Sequence, residues 1–409
     1  MKAMKSTHGL CLLAAGSALL AAQAVSAAEV KISDSTSLTI GGYIKFDTLY
    51  SRFSDGEVAQ GTGRDFYVPS SIPVSTGSGQ AYQRLDAHAK ETRLIVKTDT
   101  NLDGHKLGTH IEADFISGQI AQTISGSGNE GVTNAYNPSL RRAFITFDNW
   151  LFGQEWTNFI NLTALPETLD FVAFPSDGTV FGRQPQVRYS SGGLSLALEN
   201  GETTVQNLSG TTAGNTDDNV LPDLTLRYAV KLGPADINLA GVARQLKIDN
   251  PAVTTAPTAP LRNDTAFGGG ASLSGKITFG PGDDLRFMLN GGKGIGRYLA
   301  LGTVADAAMN DVSHDLKPVK VYNGYMAYRH VWTGTWRSTF TVSGFKADNE
   351  TALVGTGVTR KLYSASANLL YSPVKPLTLG LEYRHAKREV DSSAEGKLDR
   401  VQFSAKYMF

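Results

Sequence analysis

The sequence has a single cysteine, Cys11, and beyond its N-terminus it has no run of about 18 apolar residues. One cysteine excludes an internal disulfide framework, and the lack of a long apolar run excludes an α-helical membrane protein. An excess of one charge is also lacking, because 38 Lys and Arg residues balance 38 Asp and Glu residues. This neutrality removes the basic surface expected of a protein that binds nucleic acid.

Motifs of enzymes and of metal sites are equally scarce. The seven histidines form no HExxH pattern, and no serine stands in a GxSxG turn. The glycine run at 291–296 lacks the third glycine of a dinucleotide fingerprint, because Arg297 stands in its place. A metal cluster could be drawn from His105 and His110 with the acids that follow them, but His105 falls at a predicted turn. We therefore predict no enzyme activity, no cofactor and no metal.

Glycine and aromatic residues are what the sequence does contain. Glycine accounts for 43 of 409 residues, against a usual share of roughly 7%, and Phe, Tyr and Trp together make up 9%. The mean hydropathy is only -0.16. A composition rich in glycine and aromatics but modest in hydropathy favours many strands and turns.

The first 28 residues have the pattern of a cleaved signal peptide. Lys2 and Lys5 precede an apolar stretch from Leu10 to Leu20, and small residues at 25–28 offer a cleavage site. Cleavage removes Cys11 and leaves 36 basic against 38 acidic residues, because only two lysines are lost. We therefore predict an exported mature chain of residues 29–409.

In the mature chain, about sixteen segments alternate apolar and polar residues and are separated by Gly, Asn, Asp and Pro clusters. The predicted strands span 38–50, 91–98, 106–115, 140–148, 151–156, 185–190, 194–200, 222–230, 235–246, 266–279, 284–294, 319–330, 335–346, 360–371, 377–387 and 398–409.

The links between these segments alternate in length. Short links, such as 231–234 and 280–283, follow even-numbered strands, and longer polar stretches, such as 51–90 and 295–318, follow odd-numbered strands. An even strand number with tight turns at one end and long loops at the other is typical of outer-membrane β-barrels. A soluble sandwich also alternates, but nothing places all its long loops at one end. We predict an all-β fold, an antiparallel transmembrane barrel of about 16 strands in the outer membrane of a Gram-negative bacterium.

The last segment carries the clearest alternation. From Arg400 to Phe409 the odd positions hold Val, Phe, Ala, Tyr and Phe, and the even positions are mostly polar. One face therefore suits the outer-membrane lipid and the other suits water, so the strands must close into a barrel to satisfy their backbone groups. A last strand that ends in an aromatic carboxy-terminus resembles the insertion signal read by the outer-membrane insertion machinery.

Side chains on the parity opposite the apolar one should face the lumen. The predicted pore-lining cations are Lys45, Arg93, Arg141, Arg188, Arg227 and Arg244. Arg142 should face the opposite side from Arg141, because neighbours along a strand alternate. Part of this charge should form a network with Asp and Glu that stiffens the wall, and unpaired arginines could line a path for anions.

The stretch 157–184 is too apolar for an exposed loop, with Phe159, Leu165, Leu169, Phe171, Phe174 and Phe181. We predict that it folds back as a constriction loop, with Glu167, Asp170 and Asp177 as its charges. These acids would face Lys45, Arg93 and Arg141 and set a transverse field across the pore. The alternative is a surface loop at a subunit contact.

The sequence resembles the DcaP-like trimeric porins of Gram-negative bacteria. The resemblance rests on GGYIKFD (41–47), EADF (112–115), RRAF (141–144), GQEWT (153–157), RQPQVRY (183–189), GKGIGRY (292–298) and NLLYSP (368–373). It implies a sixteen-stranded homotrimeric channel for dicarboxylic acids and similar small anionic solutes. Two alternatives to a selective channel stay open. One is a non-selective general-diffusion porin, and the other is a surface barrel that binds a partner through its long loops.

Overall fold

The structure is a computed structural model that describes residues 28–59, 61–77, 79–116, 134–170, 175–207, 214–249, 263–310 and 315–409. The predicted signal peptide lies outside these residues, apart from Ala28. The chain forms a closed antiparallel barrel of 16 strands, as predicted. The strands are β1 (Thr36–Phe53), β2 (Tyr82–His88 continued by Arg93–Leu102), β3 (His105–Asp114), β4 (Ser139–Phe147), β5 (Trp150–Trp156), β6 (Arg183–Ser191), β7 (Leu194–Glu199), β8 (Asp223–Leu232), β9 (Ala235–Asp249), β10 (Asn263–Phe279), β11 (Asp283–Lys293), β12 (Lys320–Val331), β13 (Trp336–Asp348), β14 (Thr359–Val374), β15 (Leu377–Val390) and β16 (Glu395–Met408).

Shorter elements accompany the sixteen strands, and the first of them pairs with the start of β1. They are an N-terminal strand (Ala28–Lys31), a small sheet of Thr204–Gln206, Gly214–Asn215, Ala307–Met309 and Leu316–Pro318, the helices α1 (Thr62–Asp65) and α2 (Thr351–Val354), and 3-10 turns at Pro69–Ser71, Leu162–Ala164, Ser176–Gly178, Gly296–Tyr298 and Ala300–Gly302. Among the described residues, no helix has the length and the apolar character needed to cross a membrane.

The barrel closes where β1 pairs with β16, from Tyr43 opposite Met408 to Phe53 opposite Leu398. Phe409 extends this pairing, because its backbone exchanges hydrogen bonds of 3.1 and 3.2 Å with Gly42. The second strand is longer than the predicted 91–98. Its first part was not predicted, because a bulge at 89–92 interrupts the alternation of apolar and polar residues. Such a bulge hides the pattern, since it adds a residue without adding a partner.

The two faces of the wall differ as the alternation predicts. On β1, Ile44 and Phe46 are exposed on the outer face, whereas Lys45 and Asp47 are buried on the inner face. The same contrast recurs on β3, where Ile111 is exposed and Glu112 is buried. The outer wall therefore presents apolar side chains to lipid, and the inner wall presents charged and polar side chains to the lumen.

The connections follow the predicted alternation with two differences. Short turns follow the even strands, and the loops L1 (54–81), L3 (157–182) and L6 (294–319) are long, but the link 391–394 after β15 is also short. The second difference is exposure. Long loops of outer-membrane barrels ordinarily extend outside the membrane, but most of the described residues of 295–318, such as Ile295 and Leu299, are buried.

The orientation of the barrel can be tested with single cysteines, because the predicted mature chain contains none. Glu350 is exposed at the end of the barrel with the long loops, and Lys231 is exposed at the end with the short turns. With the turns in the periplasm, a membrane-impermeant maleimide should label E350C on intact cells and should label K231C only after lysis. Labelling of K231C on intact cells would contradict this topology.

Candidate functional site

The interior of the barrel is crossed by L3, as the sequence predicts. Phe159, Ile160 and Leu165 are buried in it, and the loop is held along the inner wall from β7 to β1. The Asn158 side-chain amide donates to the Ser195 carbonyl at 3.0 Å, and the Tyr325 hydroxyl donates to the Ala164 carbonyl at 2.8 Å. Of the apolar residues that suggested this arrangement, Phe171 and Phe174 lie outside the described residues.

Cations of the wall hold the L3 backbone by donating to its carbonyl oxygens. Arg227 Nη1 lies 3.1 Å from the Ile160 oxygen, and Lys45 Nζ lies 2.6 Å from the Leu169 oxygen. Arg188 donates to the Trp156 oxygen, where the loop begins. Several lumen cations therefore position the loop. Each guanidinium carries five N–H donors, so Arg188 and Arg227 still have donors for other hydrogen bonds.

L1 and L6 also fold inward, in addition to the predicted constriction loop. Tyr67 of L1 donates its backbone N–H to Asp170 at 2.8 Å, and Tyr298 of L6 packs edge-on against Phe159 at 5.9 Å. The backbone of L6 pairs with the returning part of L3, where Phe181 N lies 2.8 Å from the Tyr298 oxygen. The apolar residues in both loops were a usable signal, since they match the reasoning applied to L3.

The three acids of L3 find partners other than those predicted. Glu167 accepts two hydrogen bonds from Arg337, at 2.8 and 2.6 Å. Asp170 accepts from the backbone of L1, and Asp177 accepts from the Ser364 hydroxyl at 2.9 Å. None of these three acids forms an ion pair with Arg93 or Arg141 among the described residues, and the predicted transverse field between them and Lys45, Arg93 and Arg141 stays a prediction. L3 passes along the wall of β11 to β16, so its acids meet the polar groups of that wall first.

The ion pair between Glu167 and Arg337 supports a prediction about pH. Although burial opposes ionisation, the two hydrogen bonds and the charge of Arg337 lower the pKa of Glu167 to about 2. A carboxylate with a lowered pKa stabilises the folded state above its unfolded-state pKa, and the effect is lost as the pH falls through the folded-state value. The heat-unfolding midpoint of E167Q should therefore lie below that of the wild type by a constant difference from pH 8 to pH 5. Below that range the difference should shrink. A difference that disappears between pH 7 and pH 5 would contradict the pair.

On β2 to β4 the lumen arginines form a dense network with acids. Arg141 Nε lies 2.8 Å from Glu112 Oε1, and Arg141 also pairs with Asp114. Arg93 approaches the same two carboxylates at 3.5 and 3.6 Å. This network matches the expected wall of Arg with Asp and Glu, and it neutralises two of the predicted pore-lining arginines.

A bulge on β4 changes the orientation predicted for Arg142. The register places Glu112 opposite Arg142 and Ala113 opposite Leu140, so Arg141 is the additional residue. Both arginines therefore reach lumen acids, since Arg142 also pairs with Glu112 at 3.1 Å. The prediction that they face opposite sides is wrong, because a bulge re-aims one side chain.

Arg244 and Lys45 are likewise buried in ion pairs. Arg244 lies 2.7 Å from Asp306 of L6 and 3.3 Å from Asp223 of β8. Lys45 lies 3.3 Å from Asp47 and also pairs with Glu91. Arg244 therefore holds L6 to the wall, and Lys45 holds the bulge at 89–92.

Three arginines on β6 and β8 differ from these. Arg183, Arg188 and Arg227 form no ion pair with a carboxylate in the part of the chain that the structure describes. Arg188 Nε bonds the Gln186 side-chain oxygen at 2.9 Å, and Arg183 stacks over the Trp156 ring at 5.1 Å. All three are partly exposed. Arg183 was not among the predicted pore-lining residues, because it stands where the predicted constriction loop ended.

The residues considered for a metal cluster have other partners. His105 Nδ1 lies 2.8 Å from Asp148, and Glu112 is engaged by arginines. No group of three or more His, Cys, Asp or Glu side chains in the described ranges is arranged to hold a metal ion.

Comparisons with known proteins agree with this architecture. The sequence matches the family described as DcaP outer membrane protein over residues 16–409. The outer membrane channel DcaP of Acinetobacter baumannii has a TM-score of 0.71 and 23% identity, with 93% of this chain and 99% of that chain covered. OmpT of Vibrio cholerae has a TM-score of 0.53 and 11% identity, with 93% of this chain and 100% of that chain covered. OmpF of Salmonella typhi, in complex with daunomycin, has a TM-score of 0.52 and 11% identity, with the same coverage. No curated protein matches the sequence.

The structural likenesses, all under 25% identity, show the barrel fold. The family match is more informative, because it covers the whole barrel from β1 to β16. The chain belongs to the DcaP outer membrane protein family, and it is a protein of the bacterial outer membrane.

Proposed function

We propose that this protein is a passive channel for small hydrophilic solutes and that it prefers anions such as dicarboxylic acids. A barrel of about eight strands fills its interior with side chains, whereas one of sixteen leaves an aqueous path. The inner wall is charged and polar, and L1, L3 and L6 narrow the path through it. This combination supports a channel with a constriction. The A. baumannii relative carries the description of an outer membrane channel.

The observation that carries the anion preference is the group Arg183, Arg188 and Arg227. Arg188 and Arg227 stand on the inner wall and bond the start of L3, and Arg183 directly follows the end of L3 and lies over the Trp156 ring. None of the three forms an ion pair with a carboxylate among the described residues. A guanidinium binds a planar carboxylate through two parallel hydrogen bonds, so two of them suit a dicarboxylate. Lys45, Arg93, Arg141 and Arg244 shape the lumen in this proposal, because their charges are already paired.

The proposal also covers the assembly and the partners. We infer a homotrimer in the outer-membrane lipid, which agrees with the description of V. cholerae OmpT in a trimer form. The aromatic end of β16 supports recognition by the outer-membrane insertion machinery. We assign no enzyme activity and no cofactor, because solute passage alone accounts for the lumen.

Single-channel recording tests the proposal. The purified full-length protein in planar bilayers should give a stable conductance, and succinate should interrupt the current transiently. A stable current that succinate leaves unchanged would favour a general-diffusion porin instead. A barrel that never conducts would favour a surface protein that binds a partner through its loops.

A further inference from the structure

Four lysines stand on four neighbouring strands of the outer wall, at the end where the long loops emerge. They are Lys293 on β11, Lys320 on β12, Lys346 on β13 and Lys361 on β14. We call them the lysine patch. They share the outward parity of exposed apolar residues such as Leu289 and Val342. The patch therefore lies on the lipid-facing side of the barrel and not in the pore.

The strand register sets these lysines against each other. Lys293 lies directly opposite Lys320, and Lys346 lies directly opposite Lys361. Like charges directly opposite across a sheet destabilise it. Asp348 compensates in part, at 3.1 Å from Lys346 and 4.0 Å from Lys320, and Glu389 lies opposite Lys361 in the strand register. In the ranges described, no carboxylate forms an ion pair with Lys293. The positive charge of the patch is therefore only partly compensated, and an anion from outside the chain would stabilise it.

A shallow groove of about 480 Å³ adjoins the patch. Its floor is almost bare of side chains, because it is made by Gly269, Ala271 and Gly291, and Tyr322 stands beside it. Lys293 and Lys320 line the same groove. Further along the wall, exposed Leu273, Leu289 and Met326 belong to the apolar band. The surface thus joins a cationic end to an apolar strip.

We propose that the lysine patch and the groove bind a lipid with a phosphorylated headgroup in the membrane leaflet at the loop end of the barrel. The lysines would contact the phosphates, and the first part of an acyl chain would lie over the bare floor of the groove. Basic clusters beside an apolar membrane surface attract anionic lipid headgroups. A free phosphate would satisfy the lysines but would leave the apolar strip unused, and this favours the lipid.

Native mass spectrometry of the full-length protein in a neutral detergent tests the site, with diphosphoryl lipid A as the probe. Each lysine near a membrane surface contributes to the binding of an anionic lipid. The loss of two lysines in K293Q/K320Q should therefore weaken binding of the probe roughly 30-fold. The matched control is K247Q, because Lys247 stands on β9, which is separated from β11 by β10, and is already paired with Asp249 at 2.7 Å. This control should bind like the wild type. Heat-modifiable migration on gels would establish that each variant is folded.

Four results would overturn the proposal. One is equal binding of the probe by the wild type and K293Q/K320Q, and a second is equal binding of lipid A from which both phosphates have been removed. Displacement of the probe by inorganic phosphate at equal concentration would mean a simple ion site. Disulfide crosslinking between protomers through K320C would mean that a second copy of the chain covers the patch. None of these readings depends on conduction, so a failed lipid site and a failed channel are distinguishable.

Discussion

Gly42→Ala is expected to reduce the amount of folded, heat-modifiable protein in the outer membrane on the order of tenfold or more. Gly42 has φ +148°, a conformation that L side chains rarely adopt, and a Cβ there would lie 2.1 Å from the Arg93 carbonyl oxygen. The Arg93 oxygen is a backbone atom and the new Cβ would be bonded directly to the backbone of the paired strand, so neither can move without opening the sheet. Gly42 also bonds Phe409, where the first and last strands close the barrel.

The control for this variant is Gly241→Ala on β9. There the nearest atom to a new Cβ is the Gly270 oxygen at 3.8 Å, which is an ordinary contact. We expect G241A to accumulate like the wild type. Folded barrel at wild-type levels in G42A, measured by heat-modifiability of outer-membrane fractions, would contradict the account of barrel closure.

Replacing Arg188 and Arg227 together with alanine is expected to weaken succinate binding roughly tenfold to a hundredfold, since a charge-assisted hydrogen bond contributes about 1.5 to 3 kcal/mol. Both also hold the start of L3, so the variant should show a noisier open current as well. The frequency and duration of succinate-induced current blocks measure both effects. Arg52→Ala is the control, because Arg52 is exposed on the outer face of β1.

The lysine version of this variant separates charge from geometry. R188K/R227K keeps the positive charge but lacks the planar fork that binds a carboxylate through two hydrogen bonds. It should retain the preference for anions over cations and still bind succinate more weakly than the wild type. Wild-type succinate blocking in both the alanine and the lysine variants would rule out a binding role for these two residues.

The wall of the barrel was predictable from the sequence, because alternation repeats in every strand. The outward Ile44 and inward Lys45 are an example, and L3 was predictable from its apolar residues. The bulge that turns both Arg141 and Arg142 inward was not predictable, since a single added residue leaves no pattern of its own. Alternation also says which way a side chain points and not which partner it meets. The pairing of Glu167 with Arg337, across 170 positions of chain, therefore required the structure.

The same limit explains why Arg183 was not predicted as a pore-lining residue. Its neighbours in sequence gave it no strand pattern, and its lack of a carboxylate partner depends on residues far along the chain. The site proposed for anions therefore rests on contacts between strands and not on a motif. The sequence alone does not distinguish Arg93 and Arg141 from these arginines. In the structure, Glu112 and Asp114 neutralise both of them.

The reversal potential of the reconstituted channel in a KCl gradient tests the central claim most directly. If the unpaired arginines set the field at the constriction, the wild type should favour chloride over potassium, and R183A/R188A/R227A should lose most of that preference. A wild-type channel with no preference, or with a preference for potassium, would contradict the account.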